Sequence, residues 1–266
     1  MGSAEDLARL EGVIGRYPSV LIAFSGGVDS SVVAAAAYRR LGNRAQAITL
    51  RGPSLPSRDA RMAEQVASKI GMPHRVLAID QLTSSEYAAN PINRCYFCRA
   101  MEGELLQGLA TQLGVAAVLD GVHRDDMRED RPGLRAMDER SVRHPLLEAG
   151  LGKGEVRAIA RDLGLPNHDT PSDSCLASRV AQGQRIDGAT LARVDRAEEF
   201  LAELGFTDIR VRVQGGDARV VVGADEVPRL ASAETWEHVR EKLISLGFSS
   251  VIMDPTGRGA AAGRRP

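Results

Sequence analysis

The sequence predicts an α/β protein, a doubly wound parallel sheet followed by a smaller α/β domain. Three observations carry this. Short apolar runs recur at Val20–Phe24, Ala45–Leu50, His74–Ile79 and Val115–Asp120. Stretches with helical spacing separate them, at Asp29–Leu41, Arg58–Ile70 and Cys98–Leu113, and a further helix is expected over Leu151–Leu163. Apolar runs of strand length alternating with helices indicate parallel strands covered on both faces. Helix stops fall where they should, at Gly42, Gly71 with Pro73, Gly114, and Gly164 with Pro166. Thirdly, the pattern changes near Gln182. A helix over Ala189–Leu204 leads to short strands at Ile209–Val213 and Ala218–Val222, with a hairpin turn at Gln214–Asp217. A helix over Thr235–Leu246 and a strand over Ser249–Met253 complete this part. The expected division is a main domain over 1–182, a small domain over 183–256 and a disordered tail over 257–266.

The 266 residues are 43% hydrophobic and 26% charged, as in an ordinary globular protein. A net charge of -1 argues against a polyanion binder held by bulk electrostatics. No apolar run is long enough to span a bilayer, and MGSAEDLARLEGVIG lacks a signal-peptide core. Cytoplasm is therefore the expected compartment. Three cysteines, Cys95, Cys98 and Cys175, are too few and odd in number for a secreted disulfide framework.

The most informative segment is Ser25-Gly26-Gly27-Val28-Asp29-Ser30-Ser31, between the first strand and the next helix. Glycines let the backbone turn sharply and approach a ligand closely. The helix that follows points its N-terminal N–H groups and dipole at an oxyanion. Ser25 and Ser30 add hydroxyls. A Gly-Gly turn with a Ser/Asp cap is the plainer alternative. Neither a Walker A loop nor a dinucleotide fingerprint is present. The segment resembles the PP-loop of the ATP pyrophosphatase superfamily. That resemblance implies an enzyme that splits ATP between its α and β phosphates and places AMP on a substrate oxygen. The loop would hold pyrophosphate, and Thr49, Leu50 and Arg51 would lie near the adenine.

Asp120-Gly121-Val122-His123-Arg124-Asp125-Asp126 leaves the fourth strand at its carboxyl end, the edge that faces ligands in such sheets. Gly121 and Asp125 are candidate ATP contacts, and Asp125 and Asp126 are candidate Mg²⁺ ligands. A solvated acidic loop is the alternative. Arg124, Arg128, Arg131 and Arg135 are candidate anion contacts, or equally a mixed-charge surface beside Glu129 and Asp130.

Cys95 and Cys98 stand at i and i+3 at a helix start, with Cys175 far along the chain. Three thiols with an open fourth position suit a [4Fe–4S] cluster with one exposed iron. Zinc, a redox disulfide pair and inert buried cysteines stay open on spacing alone.

Most of the chain is similar to the LarE-type sulfur transferases of nickel-pincer cofactor synthesis. The segments that carry this are Ser25–Ser31, Arg94-Cys95-Tyr96-Phe97-Cys98-Arg99, Asp130-Arg131-Pro132-Gly133-Leu134, His144-Pro145-Leu146, Lys153–Leu165 and Ser174-Cys175-Leu176-Ala177-Ser178-Arg179. Gly121-Val122-His123 departs from the Gly-Thr-Asn run expected there. The resemblance implies ATP with Mg²⁺, a pyridinium mononucleotide substrate, a sulfide or other sulfur donor, and a homo-oligomer. Cys175 would be the sulfur-handling residue, and Cys95, Cys98 and Cys175 would ligate a [4Fe–4S] cluster whose open iron takes the hydrosulfide to be delivered. Arg179 would stabilise developing negative charge. Arg210 and Arg212, alternating on one strand, would bind the substrate phosphate. The alternatives are a tRNA thiolase, an ammonia-using amidotransferase like the NAD and GMP synthetases, and a non-enzymatic nucleotide-binding module. Nucleic acid is the less expected partner, since no basic RNA-binding module is present.

Overall fold

The structure is a computed structural model in which residues 2–128, 131–171 and 174–259 are described. The chain divides into two compact units, Met1–Tyr87 with Ile92–Asp173, and Ala88–Pro91 with Ser174–Pro266.

In chain order the elements run α1 (Ser3–Ile14), β1 (Val20–Ala23), α2 (Val28–Leu41), β2 (Ala45–Arg51), α3 (Ser57–Ile70), β3 (His74–Ala78), α4 (Ser85–Ala88), α5 (Arg94–Leu113) and β4 (Ala117–Leu119). There follow α6 (Pro132–Asp138), α7 (Pro145–Glu148), α8 (Lys153–Asp162), α9 (Gly188–Glu203), β5 (Arg210–Gln214), β6 (Asp217–Val221), α10 (Val227–Leu230), α11 (Ala233–Ser245) and β7 (Ser250–Met253).

The first sheet has the order β3-β2-β1-β4, with every pair parallel. Strands β1, β2 and β4 are mostly apolar and buried because both faces are covered, whereas the edge strand β3 is half exposed. Val20 and Ile22 join the core built on α1, α2 and α8, whereas Leu21 joins a second core with Leu106, Val118 and Met137. Ala34, Ala35, Ala36 and Ala37 of α2 are all buried. Side chains this small let the helix lie close to the sheet at no rotamer cost. From β1 the chain winds outward through β2 to β3, then crosses back to β4 on the other side of β1. The crevice at the carboxyl ends of β1 and β4 is thus the switch point where such sheets hold ligands.

The second sheet, β5-β6-β7, joins an antiparallel pair to a parallel one. Val211, Val213, Ala218 and Val220 are buried on one face, while Arg212 and Arg219 are on the other, directly opposite each other in the ladder.

The α/β reading and the parallel sheet stand as expected, with strand ends shifted by a residue or two. Helix α5 begins at Arg94, so both of its cysteines lie within its first two turns. Helix α6 has no counterpart in the sequence pattern; Pro132 at its start supplies a preset φ at a position whose N–H would be unpaired anyway. The second unit takes in the chain from Ser174, ahead of the pattern change near Gln182, and non-local bonds draw this stretch in. Arg179 pairs with Glu198 of α9, and the Ala181 N–H donates to the Val213 carbonyl at 2.9 Å. The Asn90 side chain donates to the Ala181 and Gln184 carbonyls at 2.8 and 3.0 Å, which ties residues 88–91 to the same unit. At the other end the fold runs on through Arg258, whose N–H donates to the Val222 carbonyl at 2.7 Å. The rest of the expected tail, from residue 260, lies outside the described residues.

Candidate functional site

Strand β1 delivers the chain to Ser25, and Gly26 turns it at φ 80°. A Cβ on Gly26 would sit 2.7 Å from the Ala63 amide nitrogen and the Asp59 carbonyl oxygen of α3. Gly27 caps α2 with no side chain to satisfy the first-turn N–H groups, so these point out of the loop toward any anion. The loop is braced from inside. Ser30 and Ser31 hydroxyls donate to the Gly27 carbonyl at 3.0 and 2.8 Å. The Asn167 amide donates to the Gly26 carbonyl at 2.7 Å and to the Ser31 hydroxyl at 2.8 Å. Asn167 is fully buried, although its stretch of sequence reads as a polar loop and gives it no distinction.

Gly121, at the end of β4, backs the loop from the other side. A Cβ there would meet the Ser30 amide nitrogen at 2.7 Å. Glycine is needed because the chain leaving β4 and the start of α2 touch backbone to backbone.

Asp29 faces out of this loop, and Lys153 of α8 grips it, Nζ lying 2.8 and 2.7 Å from the two carboxylate oxygens. His123 stands behind, Nε2 3.8 Å from Asp29. Asp125, expected as an ATP or Mg²⁺ contact, accepts from the Lys153 N–H at 2.8 Å and thereby caps α8. Asp126 accepts from the His123 N–H at 3.0 Å and pairs with Arg131 at 2.6 Å. Of the acids here, Asp29 is the one set in the phosphate loop itself. Mg²⁺ commonly takes one or two carboxylates plus substrate phosphates, and Asp29 fits that role.

Thr49 is 1% exposed, and its hydroxyl donates to the Phe24 carbonyl at 2.7 Å. Its side chain therefore locks β2 to the end of β1; Leu50 and Arg51 continue toward the same sheet edge. Asp120 is buried with one oxygen on His144 Nδ1 at 2.7 Å, and the other 3.7 Å from Arg99 beside the C-x-x-C segment. His144 Nε2 lies 3.0 Å from Asp138. Burial alone would lower the His144 pKa, but bonds and charges from Asp120 and Asp138 reverse this and raise it. A folded pKa above the unfolded one means the stabilisation is complete below about 6.5 and is lost as pH rises through the folded pKa. We expect the stability gap between wild type and His144→Gln, read as urea midpoints at pH 6 and pH 9, to narrow at the higher pH. A gap independent of pH would mean the imidazole folds neutral.

None of the three cysteines is in a disulfide; Cys95 is exposed and the other two are half-buried. Cys98 Sγ lies 3.4 Å from Glu102. Cys95 and Cys98 belong to the first unit and Cys175 to the second. Among the described residues no three His, Cys, Asp or Glu side chains gather into a metal-binding group. Arg179 is 2% exposed and bound through Nε and Nη2 to Glu198 at 2.8 and 3.0 Å. Its Nη1 donates to the carbonyls of Ser174 and Cys175 at 2.5 and 3.2 Å. In this geometry Arg179 shapes the Cys175 loop through its backbone. Arg210 is buried and donates to the Ile209 carbonyl, while Arg212 is exposed.

A parallel sheet of this order, carrying Ser25–Ser31 at its switch point with Asp29 and Lys153 across it, defines a PP-loop ATP pyrophosphatase domain. The asparagine synthase family model matches residues 18–94, the part holding the loop. The chain is 39% identical over 251 residues to the uncharacterized protein slr1717 of Synechocystis sp., covering 94% of each. It is 32% identical over 242 residues to the pyridinium-3,5-bisthiocarboxylic acid mononucleotide synthase of Lactiplantibacillus plantarum, covering 90% of this chain and 86% of that one. A tRNA-specific 2-thiouridylase of Azorhizobium caulinodans is 32% identical over 192 residues, 57% of this chain and 48% of the thiouridylase. The chain belongs to the LarE family of ATP-dependent sulfur transferases.

Proposed function

We propose that this enzyme adenylates a carboxylate of a pyridinium dicarboxylate mononucleotide and replaces oxygen with sulfur, giving a thiocarboxylate for nickel-pincer cofactor synthesis. The observation that carries this reading is similarity over 90% of the chain to a pyridinium-3,5-bisthiocarboxylic acid mononucleotide synthase, joined to an intact pyrophosphate loop. ATP binds with its β and γ phosphates on Ser25–Ser31, where first-turn N–H groups and the Lys153 ammonium take up the charge of the leaving pyrophosphate. Asp29 would be the protein ligand of Mg²⁺, which would offset phosphate charge. The substrate carboxylate attacks the α-phosphorus, pyrophosphate departs, and the acyl-adenylate carries AMP as leaving group. Arg210 and Arg212 bind the substrate phosphate. A sulfur nucleophile then attacks the activated carbonyl and AMP leaves.

Cys95, Cys98 and Cys175 are the residues proposed to hold a [4Fe–4S] cluster. Their chemistry fits: each is a thiol outside any disulfide, and thiols of this kind are the ligands such clusters take. Such a cluster supplies a renewable source of sulfide. Arg179 keeps the Cys175 loop in shape. The enzyme is proposed to act in the cytoplasm as a homo-oligomer.

The test is anaerobic purification with iron, acid-labile sulfide and zinc measured per chain. We expect about four irons and four sulfides, lost in Cys98→Ala. A metal-free protein after reconstitution would overturn the cluster. Cys175 would then be the remaining sulfur source, shown by a mass loss of one H₂S on turnover. The thiouridylase similarity favours a second reading, sulfur transfer to a tRNA base. Pyrophosphate release stimulated by tRNA and not by the mononucleotide would establish it. An ammonia-using amidotransferase would keep its activity when all three cysteines become alanine.

A further inference from the structure

The exposed face of the second sheet carries an electrostatic anomaly. Strands β5 and β6 pair so that Arg212 stands directly opposite Arg219. Side chains at opposed positions have Cβ atoms about 4.5–5.5 Å apart, and like charges there destabilise a sheet. Arg212 makes no hydrogen bond or ion pair among the described residues. Arg219, 48% exposed on its side chain, has Asp254 as an ion-pair partner at 3.7 Å, too long for a hydrogen bond. Asp254 is shared: Oδ2 faces Arg219, and Oδ1 accepts from the Thr256 N–H and hydroxyl at 3.0 and 2.6 Å. The next strand continues the row with Ile252, opposite Arg219 and 45% exposed, which offers no countercharge. The neighbouring rows on this face hold Arg210 opposite Val221 and Gln214 opposite Asp217, whose carboxylate accepts from the Ser250 hydroxyl at 2.7 Å. Among the described residues, neither Arg212 nor Arg219 is hydrogen-bonded to a carboxylate, although Asp217 and Asp254 lie near them.

We infer that Arg219 is a substrate-binding residue that clamps, together with Arg212, the phosphate of a phosphomonoester across the β5–β6 ladder. A dianion set between two guanidinium groups turns the cross-strand repulsion into two charge-assisted contacts. Arginine is suited to this because its planar fork matches phosphate oxygens. The inference rests on the proposed assignment of Arg210 and Arg212 to the substrate phosphate and adds to it a residue from a second strand. In the ligand-free enzyme the opposed pair costs stability, and binding recovers it.

The test uses the full-length enzyme and four ligands: nicotinate mononucleotide, its phosphate-free riboside, inorganic phosphate and inorganic sulfate. Affinities and melting temperatures are measured for wild type, Arg212→Ala, Arg219→Ala and Arg219→Glu. Expected is a preference of wild type for the mononucleotide over the riboside. Arg219→Ala should weaken the mononucleotide by about tenfold or more, the size of a lost charge-assisted hydrogen bond, and leave the riboside unchanged. Arg219→Glu should weaken it further while leaving the melting temperature near that of wild type, since the glutamate gains Arg212 as an ion pair and loses the Asp254 contact. A loss of affinity with stability kept is not produced by a variant that merely misfolds.

Mononucleotide affinity unchanged in Arg219→Ala and Arg219→Glu, with Arg212→Ala impaired, would overturn the role of Arg219 and leave the substrate reading standing. If wild type does not distinguish mononucleotide from riboside but binds phosphate in a way that Arg219→Glu abolishes, the clamp stands and the substrate reading falls. If the oxyanions are not bound and the mononucleotide is not preferred, the clamp itself is refuted.

Discussion

Replacing Lys153 with methionine should lower substrate-dependent pyrophosphate release by about two to three orders of magnitude, the cost of removing one preorganised charge donor from a developing anion. The ammonium lies within 2.8 Å of both Asp29 oxygens, and Asp29 sits in the first turn of α2. In the structure the two neutralise each other. On the proposed mechanism, the carboxylate would hold a divalent cation and the ammonium would meet phosphate oxygens. Both groups are about one-quarter exposed, so their pair adds little to stability, of order 1 kcal/mol or less. The variant should therefore melt near wild type while losing its rate. Lys153→Arg keeps the charge but changes its shape and should fall between the two. A pyrophosphate-release assay with both variants decides this; a rate within threefold of wild type for Lys153→Met would reduce the pair to a surface ion pair.

Gly26→Ala should weaken ATP binding by at least about a hundredfold and also lower the melting temperature. Two separate costs combine. A residue with a Cβ held at φ 80° pays about 1–2 kcal/mol for the left-handed conformation. The added carbon would also lie 2.7 Å from backbone atoms of Ala63 and Asp59, and backbone in a helix has no rotamer to yield. The loop must move off α3, and the hydrogen bond from Asn167 to the Gly26 carbonyl is broken with it. Gly27→Ala is the control. Its φ is -72° and its nearest neighbour is the Ser25 hydroxyl at 3.4 Å, so the fold should hold. Isothermal titration with a non-hydrolysable ATP analogue, beside thermal melts, separates the two positions. Equal behaviour of Gly26→Ala and Gly27→Ala would refute the packing argument.

The features legible in the sequence are those whose causes are local. An apolar strand, a glycine turn and a helix start are encoded within a dozen adjacent residues, so Ser25–Ser31 declares an oxyanion loop through its own residues alone. Strand and helix order follow from periodicity, and the parallel sheet follows from strands that are apolar on both faces. The three cysteines and their spacing are equally plain. So is Gly121, which lies at a strand's carboxyl end.

What tertiary structure decided is which distant residues serve that loop. Lys153 reaches Asp29 from 124 positions away, and Asn167 reaches Ser31 from 136. Neither stands out in its own neighbourhood. One opens an ordinary amphipathic helix, and the other lies in a polar stretch resembling any surface loop. Arg179 shows the same limit in reverse. Its position near Cys175 suggests a charge aimed at substrate, whereas folding buries its guanidinium on Glu198 and Cys175 receives it through the backbone. The opposition of Arg212 and Arg219 depends on hairpin register, and a slip of one residue would move one of them to the buried face. Local sequence fixes each element because backbone geometry is local. The partners in the site are chosen by how sheet and helices stack, and long-range packing leaves no periodic mark along the chain.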